Sequence, residues 1–288
     1  MLGMASLAER LVSDELWELF RRVVPETVVV RPQGGGRRRA GDRECLAAIV
    51  FVATSGCAWR QVPPVFGPAW PTVYRRFARW SADRVWARLH QVVLDELGAR
   101  GELDWSRFAI DSASVRALKG GLLTGPNPTD RGKKGSKIHL VTDRSGLPVA
   151  VAISAANTHD SLALQPLVTS IPLIRSRRGP RRRRPDKLHG DKGYDYPHLR
   201  RWLRSRGITP RIARRGIETS QRLGRHRWVI ERTMSWLAGC RRLHRRYERK
   251  AEHFLAFTAI ATTLINYRRL TKGNDVLGPL SAAAYWRS

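Results

Sequence analysis

The stretch Phe108-Ala109-Ile110-Asp111-Ser112-Ala113-Ser114 decides how the chain is read. Apolar and small residues run into an aspartate and then into small hydroxyl and methyl side chains, the pattern of a short strand that delivers a carboxylate to the rim of a sheet. Two later stretches present the same chemistry. Leu188-His189-Gly190-Asp191-Lys192-Gly193-Tyr194 reads as a brief strand ending in an acid, and Trp228-Val229-Ile230-Glu231-Arg232 as part of a helix.

Downstream of Asp111 the patterning predicts strands over 107–115, 137–143 and 149–154, with Gly146-Leu147-Pro148 turning the last pair into a meander. A helix starts at Asp160, a strand over 187–189 delivers Asp191, and a helix over 196–206 leads to a fifth strand over 208–213. Helices over 223–238, bearing Glu231, and 254–270 close the pattern. This order predicts an α/β fold: a ribonuclease-H-like mixed β-sheet flanked by helices. In such a sheet the first strand is central and the fourth lies beside it, which brings Asp111 and Asp191 within a few ångströms.

Upstream, residues 1–100 read as all-helical. Leu7, Leu11, Leu16, Leu19 and Phe20, widened by Trp17, predict one amphipathic helix within 1–30. Asp42 is expected to cap a strongly apolar helix over 43–55 that Gly56 stops. Pro71 or Thr72 opens a helix through Trp80 carrying Arg75 and Arg76, and another runs over 83–97. A buried helix, an irregular connection and an arginine-bearing helix are consistent with a helix-turn-helix variant. The composition changes at Gly98 and Gly101. The expected organisation is therefore a helical DNA-binding domain over 1–100, a catalytic domain over 101–275 and a tail over 276–288.

Charge names the partner class. The 288 residues hold 53 Lys and Arg against 24 Asp and Glu, a formal net charge of +29. Such a chain repels itself unless it meets a polyanion, and double-stranded DNA is the expected partner. Candidate phosphate contacts are Arg37, Arg38 and Arg39 in a Gly/Arg arm, Arg75 and Arg76, then Lys133, Lys134 and Lys137 around a Gly- and Pro-rich loop. Arg181, Arg182, Arg183 and Arg184 in the tract 175–184 and Arg227 beside the glutamate complete the set. The loop 119–136 is expected to be loose without its ligand, and the tract 175–184 to be disordered or DNA-bound. Cys45, Cys57 and Cys240 form no CxxC spacing, which argues against a disulfide framework or a zinc site. With no leader-like start and no apolar run of about 18 residues, the expected location is the cytoplasm.

Two carboxylates side by side repel unless a cation lies between them. Hard oxygen donors without a Cys or His cluster select Mg²⁺ or Mn²⁺. Asp111, Asp191 and Glu231 are accordingly the candidate metal ligands. Each also has a local reading: a strand-end surface acid, a turn residue before Gly193, and a helical partner of Arg227 or Arg232. His139 and His159 could flank the site or serve structure only.

At this level of detail the chain resembles bacterial insertion-sequence transposases of the DDE type, in the group that includes the IS-five family. The resemblance rests on Gly56-Cys57-Ala58-Trp59-Arg60-Gln61-Val62-Pro63, Trp70-Pro71-Thr72-Val73-Tyr74-Arg75-Arg76-Phe77, Ile110-Asp111-Ser112, Lys137-Ile138-His139-Leu140, Asn157-Thr158-His159-Asp160, Gly190-Asp191-Lys192-Gly193-Tyr194-Asp195 and Ile230-Glu231-Arg232-Thr233. It implies a catalytic triad of Asp111, Asp191 and Glu231 with Mg²⁺, acting on the inverted repeats of a mobile element, and a homodimer or higher oligomer that pairs two DNA ends. Relatives carry a Tyr-Arg-Glu-Lys signature around the glutamate. Arg227 fits it, whereas Gly224 and Ala238 stand at its Tyr and Lys positions. A nuclease that never joins strands and an inactive DNA-binding relic are the alternatives.

Overall fold

The computed structural model describes residues 6–26, 39–214, 216 and 220–271, without the side chains of 220–227. Arg37, Arg38 and the expected tail 276–288 lie outside the described residues.

The first helix of the sequence reading is two, α1 (Leu7–Leu11) and α2 (Asp14–Arg21). Ser13 breaks the run, because its side chain accepts from Leu16 N and caps α2. The helix α3 (Asp42–Ser55) is capped by Gly41 rather than Asp42, and ends on Gly56 at φ 74°. Asp42 lies instead in the first turn, paired with Arg39 and Arg76. After two short 3-10 turns come α4 (Trp70–Ala82) and α5 (Val85–Arg100).

Among the described residues six strands follow: β1 (Phe108–Arg116), the two-residue β2 (Gly125–Pro126), β3 (Lys134–Thr142), β4 (Pro148–Ala155), β5 (Lys187–Gly190) and β6 (Thr209–Ile212). Between and after them run α6 (Ser161–Thr169), α7 (Pro197–Ser205), α8 (Ser220–Ala238) and α9 (Ala251–Thr271). β1 is central, antiparallel to β3 on one edge and parallel to β5 on the other. β4 and β2 pair with β3, and β6 extends the sheet beyond β5. This mixed order, flanked by helices, is the ribonuclease-H-like arrangement predicted above.

The core is continuous from Val12 to Leu270. It is joined by α9, an apolar helix that packs on α5, α3 and α4 as well as on β4. Phe257 of α9 stacks on Phe77 of α4 with ring centroids 4.6 Å apart, and Phe20 meets Trp80 edge-on at 4.9 Å. His90 of α5 and Asn266 of α9 both reach the carbonyl of Pro148 at the start of β4, at 3.0 and 2.8 Å. The N-terminal helices and the sheet are thus built on shared apolar contacts.

The segment 175–184 is folded onto the protein. Ile174 and Arg182 exchange backbone hydrogen bonds, Arg181 binds Asp95 at 2.9 Å, and Arg182 lies over the Trp105 ring. Its arginines find acids and an indole on neighbouring elements, so the tract is held by the protein's own groups rather than disordered. The loop between β1 and β3 is likewise anchored, through Arg246, as described below.

Candidate active site

The site begins with strand register. Across the parallel β1–β5 pair, Phe108 is opposite Leu188 and Ala109 opposite His189. Extended two residues beyond its last pair, past the end of β5 at Gly190, that register points Asp111 toward Asp191. Asp191 has extended backbone, φ −80° and ψ −177°, so the alternation of side chains holds through it. Ala109 and His189 line a cleft with Val229 of α8, together with Arg107, Phe108, Asp143 and Arg144. Side chains two residues apart on a strand share a face, so Asp111 and Asp191 both belong to the α8 face of the sheet.

Local backbone fixes each acid. Ser112 N donates to Asp111 Oδ1 at 2.8 Å, and Gly193 N to Asp191 Oδ1 at 2.9 Å. A Cβ on Gly193 would stand 2.9 Å from that same oxygen, which explains a glycine two residues after the aspartate. Tyr194, 1% exposed, anchors the turn beneath.

α8 is pinned beside them by the β3–β4 turn. Thr233 Oγ1 donates to the Gly146 carbonyl at 2.6 Å, and the Arg232 guanidinium to the Ser145 carbonyl at 2.7 Å. Arg232 is also held between two indoles of its own helix, Trp228 and Trp236, each centroid 4.6 Å away. The turn is stiffened by Asp143, whose Oδ1 accepts from Ser145 N and Leu147 N and whose Oδ2 accepts from Asp104 N. Burial pushes that carboxyl up to about 6. Glu231 is exposed on α8, one residue from Arg232. Arg227 lies in the part of α8 whose side chains are not described.

The opposite face of β1 carries a network that the sequence reading missed. Ser112 Oγ donates to Asp160 Oδ1 at 2.8 Å, and Lys137 Nζ reaches that oxygen at 3.0 Å and the Thr158 carbonyl at 2.8 Å. Asp160 was expected only to start a helix. It precedes α6 without a side-chain cap bond, and its carboxylate serves β1 and β3 instead. Its signal was the charged pair it makes with Lys137 from a second quoted motif. His139, opposite Ser112 in the ladder, is on this same face. Its ring bonds Ser154 Oγ at 2.7 Å, and burial holds it down at about 4. It is therefore a neutral structural group turned away from Asp111. His159 bonds Ser161 Oγ and meets Tyr196 edge-on.

Other predicted contacts are distributed. Arg75, Lys134, Arg183 and Arg184 are exposed, and Lys133 is partly so. Arg39 and Arg76 are engaged by Asp42, Arg181 by Asp95 and Lys137 by Asp160. The donor chemistry of adjacent aspartates on one sheet face suits a hard divalent cation. Among the described residues, no three His, Cys, Asp or Glu side chains are grouped closely enough to hold a metal ion. Two of the three expected ligands fall where the β1–β5 register extends, and no group of three forms with Glu231 among the described residues.

Residues 104–266 match the family described as "Transposase DDE domain", and residues 12–90 the family described as "Putative transposase of IS4/5 family". A Burkholderia cepacia protein described as "Putative transposase for insertion sequence element IS402" is 45% identical over 171 residues, covering 59% of this chain and 79% of its own. An uncharacterized 16.2 kDa protein of insertion element IS402, from the same organism, is 37% identical over 123 residues, covering 42% and 84%. Among solved structures, the Mos1 strand transfer complex shares 11% identity at a TM-score of 0.28, over 87% of this chain and 83% of that one. At that score the likeness carries no correspondence of individual residues.

Proposed function

Because the chain belongs to the DDE transposase family, we propose that it binds the terminal inverted repeats of an insertion sequence, cuts DNA there and joins the freed end to a target. One observation supports the site assignment: the parallel β1–β5 register at Phe108–Leu188 and Ala109–His189, whose extension leads to Asp111 and Asp191. In this reading Asp111 and Asp191 hold Mg²⁺ or Mn²⁺, and Glu231 of α8 completes the ligand set when DNA is bound. Ions bound there would activate a water or a 3′ hydroxyl and steady the leaving oxygen in an in-line displacement at phosphorus.

The protein's own part is to position and to neutralise. Backbone donors from Ser112 and Gly193 orient the two aspartates with one oxygen each. The Thr233 and Arg232 bonds to the β3–β4 turn set the height of α8 above the sheet. Residues 1–100 recognise the element ends, with Arg75 on the exposed side of α4, while Lys133, Lys134, Arg183 and Arg184 bind backbone phosphates. Joining requires two ends at once, so the working species is a homodimer or larger on DNA.

The test is cleavage and joining with labelled end duplexes and Mn²⁺. Asp111→Ala, Asp191→Ala and Glu231→Ala should each abolish both reactions while duplex binding persists. Undiminished cleavage by any one of them removes that residue from the site, and cleavage without joined products limits the enzyme to hydrolysis.

A further inference from the structure

Leu122 is the most exposed large apolar side chain among the described residues, at 71%, and Leu123 beside it is 48% exposed. They crown the loop between β1 and β2, and the protein holds that crest rigidly. Arg246, 0% exposed, lies underneath. Its two terminal nitrogens donate to the carbonyls of Leu122 at 2.6 Å and Leu123 at 3.0 Å, and to Ser136 Oγ at 2.7 Å, while Nε binds the Glu248 carbonyl at 2.8 Å. Gly121, at φ 116°, lies flat on Arg249, where a Cβ would come within 2.2 Å of the Arg249 carbonyl oxygen. Leu123 is in the left-handed region, φ 56°, a conformation that a residue with a Cβ adopts only under strain. A buried arginine, a glycine contact and a strained leucine are thus arranged to keep two leucines in water.

We propose that this crest is a wedge that inserts between adjacent base pairs of duplex DNA, an inference that rests on the DNA-processing function proposed above. Charge selects the occupant. The crest and the strap at 244–250 beneath it carry Lys119, Arg245, Arg249 and Lys250 on the surface, and the one acid of these two segments, Glu248, is buried against Arg242. A second copy would bring the same cations, whereas a phosphate backbone complements them. Location agrees, since the loop follows the end of β1, five residues and about 17 Å of strand past Asp111, so a duplex lying on Asp111 can extend to it. Apolar side chains flanked by cations are the chemistry by which proteins unstack and kink a base step.

The experiment uses the full chain and a duplex copied from the DNA flanking its coding region, without divalent metal, with 2-aminopurine placed at successive positions. Insertion should raise the fluorescence at one step only. Leu122→Ala and Leu123→Ala, which truncate solvent-facing side chains and leave the core intact, should abolish that rise and weaken binding roughly tenfold. Leu122→Met should keep both signals. Unchanged affinity and fluorescence in Leu122→Ala overturn the wedge while leaving DNA binding standing. Loss of self-association by that variant, with DNA signals intact, gives the crest to a second copy and overturns it as well. Failure of the unaltered chain to bind duplex overturns both the wedge and the function it rests on.

Discussion

Arg242 and Glu248 meet at 2.7 Å in the strap between α8 and α9, with side chains only 8% and 5% exposed. The same guanidinium donates to the Cys57 carbonyl at 2.9 Å and lies over the rings of Tyr247 and Phe257. One buried ion pair therefore ties the connection after α3 to the strap that runs beside β1. Such a pair adds little over an apolar replacement, yet removing one partner leaves an uncompensated charge out of water. Glu248→Ala is expected to cost about 3–5 kcal/mol in urea unfolding, and Arg242→Met with Glu248→Leu to recover most of it. Equal losses in the single and double variants would contradict this.

Asp160 supports β1 from the face opposite Asp111. Asp160→Ala removes the acceptor of the Ser112 hydroxyl and the charged partner of Lys137, whose ammonium keeps only the Thr158 carbonyl, at a cost of about 1–3 kcal/mol. Asp160→Asn keeps an acceptor oxygen and should lose less. Thermal unfolding of the two variants beside the unaltered chain decides the order.

Stability should fall as the solution is acidified from about pH 6.5 toward 4. Burial holds His90 and His139 down at about 4 from an ordinary 6.5, and it lowers His253 as well. In that window the unfolded chain takes up protons that the folded chain refuses, so these histidines favour folding above it and lose their contribution on acidification. Asp143, raised from 3.8 to about 6, acts in the opposite sense, since its contribution is present below 3.8 and fades as the pH rises through 6. The histidines outnumber it, and the net slope is positive. Chemical unfolding across this range should show it, with a shallower slope in His139→Gln and a steeper one in Asp143→Asn.

The sheet was legible because its signals are local. Val- and Ile-bearing runs around Ile110, Ile138 and Val151, with one tight turn at Gly146, fix three antiparallel strands; Asp191 does follow a strand end, whereas Asp111, expected there too, lies within β1, which runs five residues further to Arg116. The helix split at Ser13 was not, since one hydroxyl capping α2 interrupts an otherwise continuous apolar stripe. Arg246 was invisible for a different reason. Nothing near it separates it from the other Lys and Arg residues. Its burial is set by carbonyls at 122 and 123, more than a hundred residues away in sequence. The roles of Lys137 and Asp160 are non-local in the same way: two quoted motifs meet only when β3 and α6 pack. The tract 175–184 read as disordered because its partners Asp95 and Trp105 lie on other elements.

The central claim, that Asp111 and Asp191 hold a divalent cation between them, is tested most directly by replacing that cation with Fe²⁺. Ascorbate and peroxide then generate hydroxyl radicals that cut the chain near the bound iron, and mass spectrometry maps the cuts. With duplex DNA present, cuts should cluster at 111, 191 and 231, and all three should vanish together in Asp111→Ala. Cuts scattered over the basic surface, or a pattern at 191 that survives Asp111→Ala, would contradict it.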